Sequence, residues 1–201
     1  MNYQDYYNLR GDKALSNFDI RHRFVGSMSW ELPFGNGRKF LQEGVLAKVV
    51  GGFTLNAITQ AQGGLPLLIS AVNDALQGLA FIALRPNLVA DPQSSADSKA
   101  GKILQYFNTG AFQQSAHYTI GNAPRTLSSL RGPNYVTTSF SISRDFKFTE
   151  KAKMQFRAEA FNAFNRANFA TPGTTLGLAN FGVITNTEDP RQVQFAARLY
   201  F

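Results

Sequence analysis

One feature constrains this chain more than any other: a period of two that returns over long stretches. The chain ends on "RQVQFAARLYF". Arg191, Val193, Phe195, Ala197, Leu199 and Phe201 fall on one side, and Gln192, Gln194, Ala196, Arg198 and Tyr200 on the other. Successive side chains of a β-strand point to opposite faces, so the pattern predicts a strand with one apolar and one polar side. The same reading applies to "RHRFVGSMSWELPFG". There His22, Phe24, Gly26, Met28, Trp30 and Leu32 oppose Arg23, Val25, Ser27, Ser29 and Glu31.

Three further segments repeat it. In "VVGGFTLNAITQAQGG", Val49, Gly51, Phe53, Leu55, Ala57 and Ala61 share a face, and Ile58 falls on the polar side. In "YVTTSFSISRDFKFTE", Val136, Thr138, Phe140, Ile142, Phe146 and Phe148 do so, with Arg144 as the exception. In "KMQFRAEAFNAF", Met154, Phe156, Ala158 and Ala160 oppose Gln155, Arg157, Glu159 and Phe161, and the phase is lost at "FNAFN". The expectation is an all-β fold of antiparallel, up-and-down strands at about 20–33, 45–62, 134–149, 152–166 and 190–201. These are longer than the roughly five or six residues usual in globular sheets. They meet the roughly 9 to 11 residues that a tilted strand needs to cross a bilayer.

The expected connections alternate in length. Two are short, at about 34–44 and 149–152; one is very long, at about 65–133, and one intermediate, at about 168–190. Short turns at one rim and long loops at the other are the arrangement of outer-membrane barrels, with the short turns periplasmic. The apolar faces mix small residues (Gly26, Gly51, Ala158, Ala160, Ala197) with Phe140, Phe156 and Phe195. Trp30 and Phe34, Phe146 and Phe148, and Tyr200 and Phe201 gather near strand ends, where aromatic girdles of membrane proteins sit. These features favour a partial, open transmembrane barrel, its apolar face on outer-membrane lipid and its polar face on a lumen. Arg23, Glu31, Asp145, Lys147, Arg157 and Glu159 are the candidate lumen-facing polar residues. The alternative is a soluble, secreted β-sandwich binding carbohydrate or protein, whose apolar face would be buried under a second sheet.

Composition narrows the chemistry. The 201 residues contain no cysteine, which excludes disulfides and thiolate metal sites. The formal charge is +7, but Lys and Arg are scattered without a run of five, so no nucleic-acid partner is expected. The two histidines, His22 and His117, lie far apart, and no metal site is expected. "GNGRKF" and "AGKIL" lack the spacing of a phosphate-binding loop. "NTEDP" at 186–190 reads as a solvated turn or a weak calcium site. No catalytic constellation, and so no enzyme and no cofactor, is expected. No apolar run is long enough for a transmembrane helix. The N-terminus lacks the pattern of a signal peptide, which taken alone points to the cytoplasm, against the strands.

Five segments, "FDIRHRFVGSMSWELPFG", "YFNTGAF", "LRGPNYVTTSFSISRDFKF", "FRAEAFNAFNRANF" and "FGVITNTEDPRQVQFAARLYF", occur in an order that resembles the C-terminal end of TonB-dependent outer-membrane receptors. The subgroup resembled carries an N-terminal carboxypeptidase-regulatory-like domain. The resemblance implies a Gram-negative outer-membrane protein of solute uptake, of which this chain is the C-terminal barrel fragment, not functional alone. The plug domain and upstream strands are expected outside it, and contact with the TonB complex only through that N-terminal part. The resemblance also implies that the terminal strand, through Val193, Phe195, Leu199 and Phe201, is read by the barrel-assembly machinery. An unclosed sheet leaves unpaired backbone groups at its edges, which is the physical ground for expecting a fragment.

Overall fold

The computed structural model of the chain describes residues 3–35, 37–72, 84–94, 96, 98–150 and 152–201. Positions 36, 73–83 and 151, which fall within the predicted connections, lie outside the described residues. In chain order the strands are β1 (Arg23–Glu31), β2 (Phe53–Gln62), β3 (Pro66–Leu67), β4 (Ser70–Ala71), β5 (Asn87–Leu88), β6 (Phe112–Gln113), β7 (Leu127–Arg131), β8 (Tyr135–Lys147), β9 (Lys153–Phe161), β10 (Thr175–Leu176) and β11 (Gln192–Tyr200). Two short helices, α1 (Gly44–Val50) and α2 (Lys99–Leu104), complete the described elements together with 3-10 turns at Leu9–Asp12 and Thr109–Ala111. The chain divides into two compact units, 23–62 with 135–167 and 189–201, and 1–22 with 63–134 and 168–188.

The first unit is an open antiparallel sheet in the order β1-β2-β8-β9-β11. Its strands are 9, 10, 13, 9 and 9 residues long. The register aligns the two alternation patterns across all five strands. Trp30 pairs with Leu55, Leu55 with Ile142, Ile142 with Ala158 and Ala158 with Phe195, an apolar row spanning the sheet. A one-residue slip in any strand would invert its faces, so the shared pattern specifies the register. The apolar face is not covered: Phe24 is 63% and Phe195 73% exposed, and Met28, Trp30, Val193 and Leu199 are exposed as well. Ala47 is the sheet unit's sole member of the buried hydrophobic set among the described residues.

Three predicted boundaries are corrected. The second strand starts at Phe53 rather than about 45, because Gly44–Val50 form a helix. Val45, Leu46, Val49 and Val50 have helical spacing as well as apolar character, and Gly52, at φ +76°, separates helix from strand. The fourth strand stops at Phe161 rather than about 166, because Asn162 (φ +46°) and Asn165 (φ +50°) turn the chain in the left-handed region. The first strand begins at Arg23 rather than about 20.

The long connection is not an unstructured loop. With residues 1–22 and 168–188 it makes a second unit with its own core of Leu67, Ile69, Phe107, Ala111, Phe112, Leu127 and Leu130. Phe107, Phe112 and Phe181 form a triangle of edge-to-face rings with centroids 5.1 to 5.9 Å apart. Short pairings, β3 with β7, β4 with β10 and β5 with β6, tie its segments together. "YFNTGAF", within the predicted long connection, supplies the centre: Phe107 is fully buried and Tyr106 Oη donates to the Arg131 carbonyl at 2.9 Å. Desolvation pushes the Tyr106 hydroxyl up from 10.0 to about 12. Residues 3–22 are held down by the buried Asp12–Arg85 pair, the Asp19–Arg131 pair and a bond from Gln4 Nε2 to the Gly121 carbonyl.

Candidate functional site

The polar face of the sheet is where solute chemistry can be sought, since its side chains point away from the apolar rows. The register puts all six polar candidates on it, at different heights. Glu31, Thr54, Ser143, Arg157 and Ala196 form one cross-strand row, and Ser29, Asn56, Ser141, Glu159 and Gln194 the next. Asp145, Gln155 and Arg198 form a third, and Lys147, Lys153 and Tyr200 a fourth. Asp145, Lys147, Arg157 and Glu159 therefore lie on the adjacent strands β8 and β9, in four successive rows of which Lys147 and Glu159 occupy the two ends. Glu31 is three strands from Arg157, roughly 14 Å at the usual strand spacing. Arg23 pairs with Gln62 at the opposite strand ends and does not join the cluster.

Local contacts organise these groups as a hydrogen-bonding wall. Arg157 and Glu159 approach at 3.5 Å, Gln194 donates to Glu159, and Gln155 donates to Asp145 at 2.9 Å. Asn56 Nδ2 reaches Ser141 Oγ at 3.4 Å, and the Thr59 and Thr138 hydroxyls, on the other face, bridge the same strands at 3.1 Å. Glu31 pairs with Arg38 at 2.5 Å. Lys147 and Lys153 sit directly opposite each other, and Lys153 Nζ lies 4.6 Å from the Tyr200 ring centroid. A cation over a ring face lowers the cost of that like-charge pair. Amides, hydroxyls and paired charges of this kind can bind water or a polar solute.

Of the terminal residues, Val193, Phe195 and Leu199 lie on the apolar face of β11, and Phe201 follows the strand, fully exposed. Among the described residues β11 pairs only with β9 and β1 only with β2, so each presents one unpaired edge. Such edges are templates for strand addition.

Two irregularities of the sequence pattern acquire definite partners. Arg144, an apparent flaw in the apolar face, donates from Nη1 to the Val49 carbonyl at 2.5 Å and from Nη2 to the Lys48 carbonyl at 2.6 Å. Its guanidinium also lies over the rings of Phe146 and Phe53, at 4.4 and 5.3 Å. It therefore closes the C-terminal end of α1, where cations satisfy free carbonyls. The second is the "FNAFNRANF" bend. Asn162 is buried and donates to the carbonyls of Arg166 (3.0 Å) and Asp189 (3.2 Å), while its Oδ1 accepts from Arg166 N–H. Asn165 Oδ1 accepts from Arg191 N–H at 3.0 Å. The geometry of that segment is a bend whose side-chain amides are satisfied.

A model of the outer membrane beta barrel domain matches residues 1–194, nearly the whole chain. The chain belongs to that family. No curated protein and no solved structure matches it. Membership in an outer membrane beta barrel domain family locates the protein in the outer membrane. In barrels of the outer membrane one sheet face contacts acyl chains and the other an aqueous interior. The five-stranded sheet is an open part of such a barrel.

Proposed function

We propose that the chain is the C-terminal barrel portion of a TonB-dependent, Gram-negative outer-membrane transporter that takes up a scarce solute. The observation that carries this reading is the conjunction of an uncovered apolar face, continuous over five strands, with a polar wall on the other. It is supported by the ordered resemblance of five segments to the end of TonB-dependent receptors. Five strands are fewer than the eight of the smallest single-chain barrels, so the remaining strands and a plug would come from outside this sheet. The Arg157–Glu159 cluster would line the lumen and contact plug or solute. The unit built on Phe107 would stand on the extracellular side, and the terminal strand would present Val193, Phe195, Leu199 and Phe201 to the assembly machinery.

The uncovered apolar face counts against the soluble sandwich, which needs a second layer over it. Fractionation and uptake together test the proposal. Removing the gene should abolish energised uptake of one solute class among chelated iron, oligosaccharides, peptides and vitamins, and removing the energy transducer should abolish the same uptake. Unchanged uptake of all four after both deletions would overturn the TonB-dependent reading.

A further inference from the structure

The connection between β1 and β2 spans residues 32–52 and is more elaborate than a turn. Gly35 and Gly51 pack backbone to backbone: a Cβ on Gly51 would lie 2.6 Å from the Gly35 Cα and 2.5 Å from the Ala47 carbonyl oxygen. Gly51 N–H donates to Ala47, and Gly52 N–H to the Phe34 carbonyl. This contact and the two Arg144 bonds fix α1 at the strand ends that carry the short connections.

Helix α1 is turned inside out relative to a helix of a water-soluble protein. It buries only Ala47, while Val45 (77% exposed), Leu46 and Val49 project outward. At 100° per residue these three share an arc of about 100°, with Lys48 on its flank and Ala47 opposite. Arg144 belongs to the apolar side of the sheet by register, pairing with Phe53 and Phe156, so α1 is anchored from the side that faces acyl chains. The connection carries Arg38, Lys39 and Lys48 against Glu43 alone. Apolar residues flanked by cations, on a helix held by a residue of the apolar sheet face, match the chemistry of a headgroup boundary.

We propose that α1 is an interfacial helix that lays Val45, Leu46 and Val49 into the phospholipid leaflet beside the short connections, with Lys48 at the anionic headgroups. The inference rests on the membrane reading of the apolar face. Because the chain has no cysteine, single probes can be placed cleanly. The full chain carrying Leu46→Cys, Phe195→Cys or Gln194→Cys, each bearing an environment-sensitive fluorophore, is reconstituted into phosphatidylcholine vesicles with and without phosphatidylglycerol. Spin-labelled lipids then serve as quenchers. The expected result is loss of most emission at Leu46 and Phe195 but not at Gln194, with stronger quenching at Leu46 when phosphatidylglycerol is present. Quenching at Phe195 without quenching at Leu46 overturns the helix proposal and leaves the membrane reading standing. A blue-shifted but unquenched Leu46 probe means that protein covers the helix, and also overturns it. Absence of quenching at both positions overturns both readings.

Discussion

Arg144 Nη1 and the Val49 carbonyl oxygen are 2.5 Å apart, although one belongs to β8 and the other to the last turn of α1. The bond gives an arginine on an apolar sheet face a partner, and gives a seven-residue helix an end. A helix this short is marginal without tertiary support.

Replacing Arg144 by Ala is therefore expected to fray α1 while leaving the sheet intact. Two charge-assisted bonds at a half-exposed site are together worth about 1–2 kcal/mol. Hydrogen exchange at the Gly51 amide, which donates to Ala47, should accelerate accordingly, with no change at β9 amides. Arg144→Lys keeps the charge but not the fork and should protect only partly.

Phe107 is completely buried in the aromatic triangle of the second unit. Phe107→Ala should cost about 3–5 kcal/mol, as large-to-small changes at packed aromatic sites do. Limited proteolysis should then cut within 63–134 while the strands stay protected. Equal loss of protection in both units would show that they do not unfold separately.

Phe195 and Gln194 are adjacent in sequence and opposite in face. Phe195→Arg should destabilise the membrane-inserted form by about 2–4 kcal/mol if it sits near the bilayer midplane, and less near an interface. Gln194→Arg should be close to neutral. Urea titration of protein reconstituted in vesicles measures both, and equal effects would contradict the assignment of faces.

Asn162 combines a left-handed backbone with three amide hydrogen bonds. Asn162→Gly keeps the backbone freedom and loses the bonds; Asn162→Ala loses both. Alanine should be the worse of the two by about 1 kcal/mol, a difference visible in denaturant midpoints.

Tyr106 supplies a pH dependence. Its hydroxyl is raised from 10.0 to about 12 in the folded state, so the neutral form is favoured by folding. Its contribution to stability is fully present below pH 10 and is lost as pH rises from 10.0 toward 12, because the unfolded chain releases the proton first. Denaturation of the second unit followed against pH should show this alkaline loss, and Tyr106→Phe should flatten it.

What the sequence made legible follows from length and period. β8 carries thirteen residues of unbroken alternation apart from Arg144, and its pairing with both neighbours follows the two faces read from sequence. The start of β2 was not legible because "GVLAKVVGG" fits a two-residue period and a helical one, and only Gly52 and the Arg144 contacts decide between them. The second unit was opaque because five of its six described strands have two residues and so carry no period. Its core is assembled from residues as distant as Leu67, Phe112 and Phe181. The polar candidates were readable as to face, since face follows from parity. Their grouping was not, because neighbours across strands are set by register: Arg23 shares parity with Asp145 yet stands at the far end of its strand.

The ring of phenylalanines at 107, 112 and 181 carries a consequence for how such a protein can diversify. A segment that keeps its own dry centre does not depend on its strands for cohesion. Its outer residues are free to vary, while the staves of the sheet keep the spelling that the membrane requires.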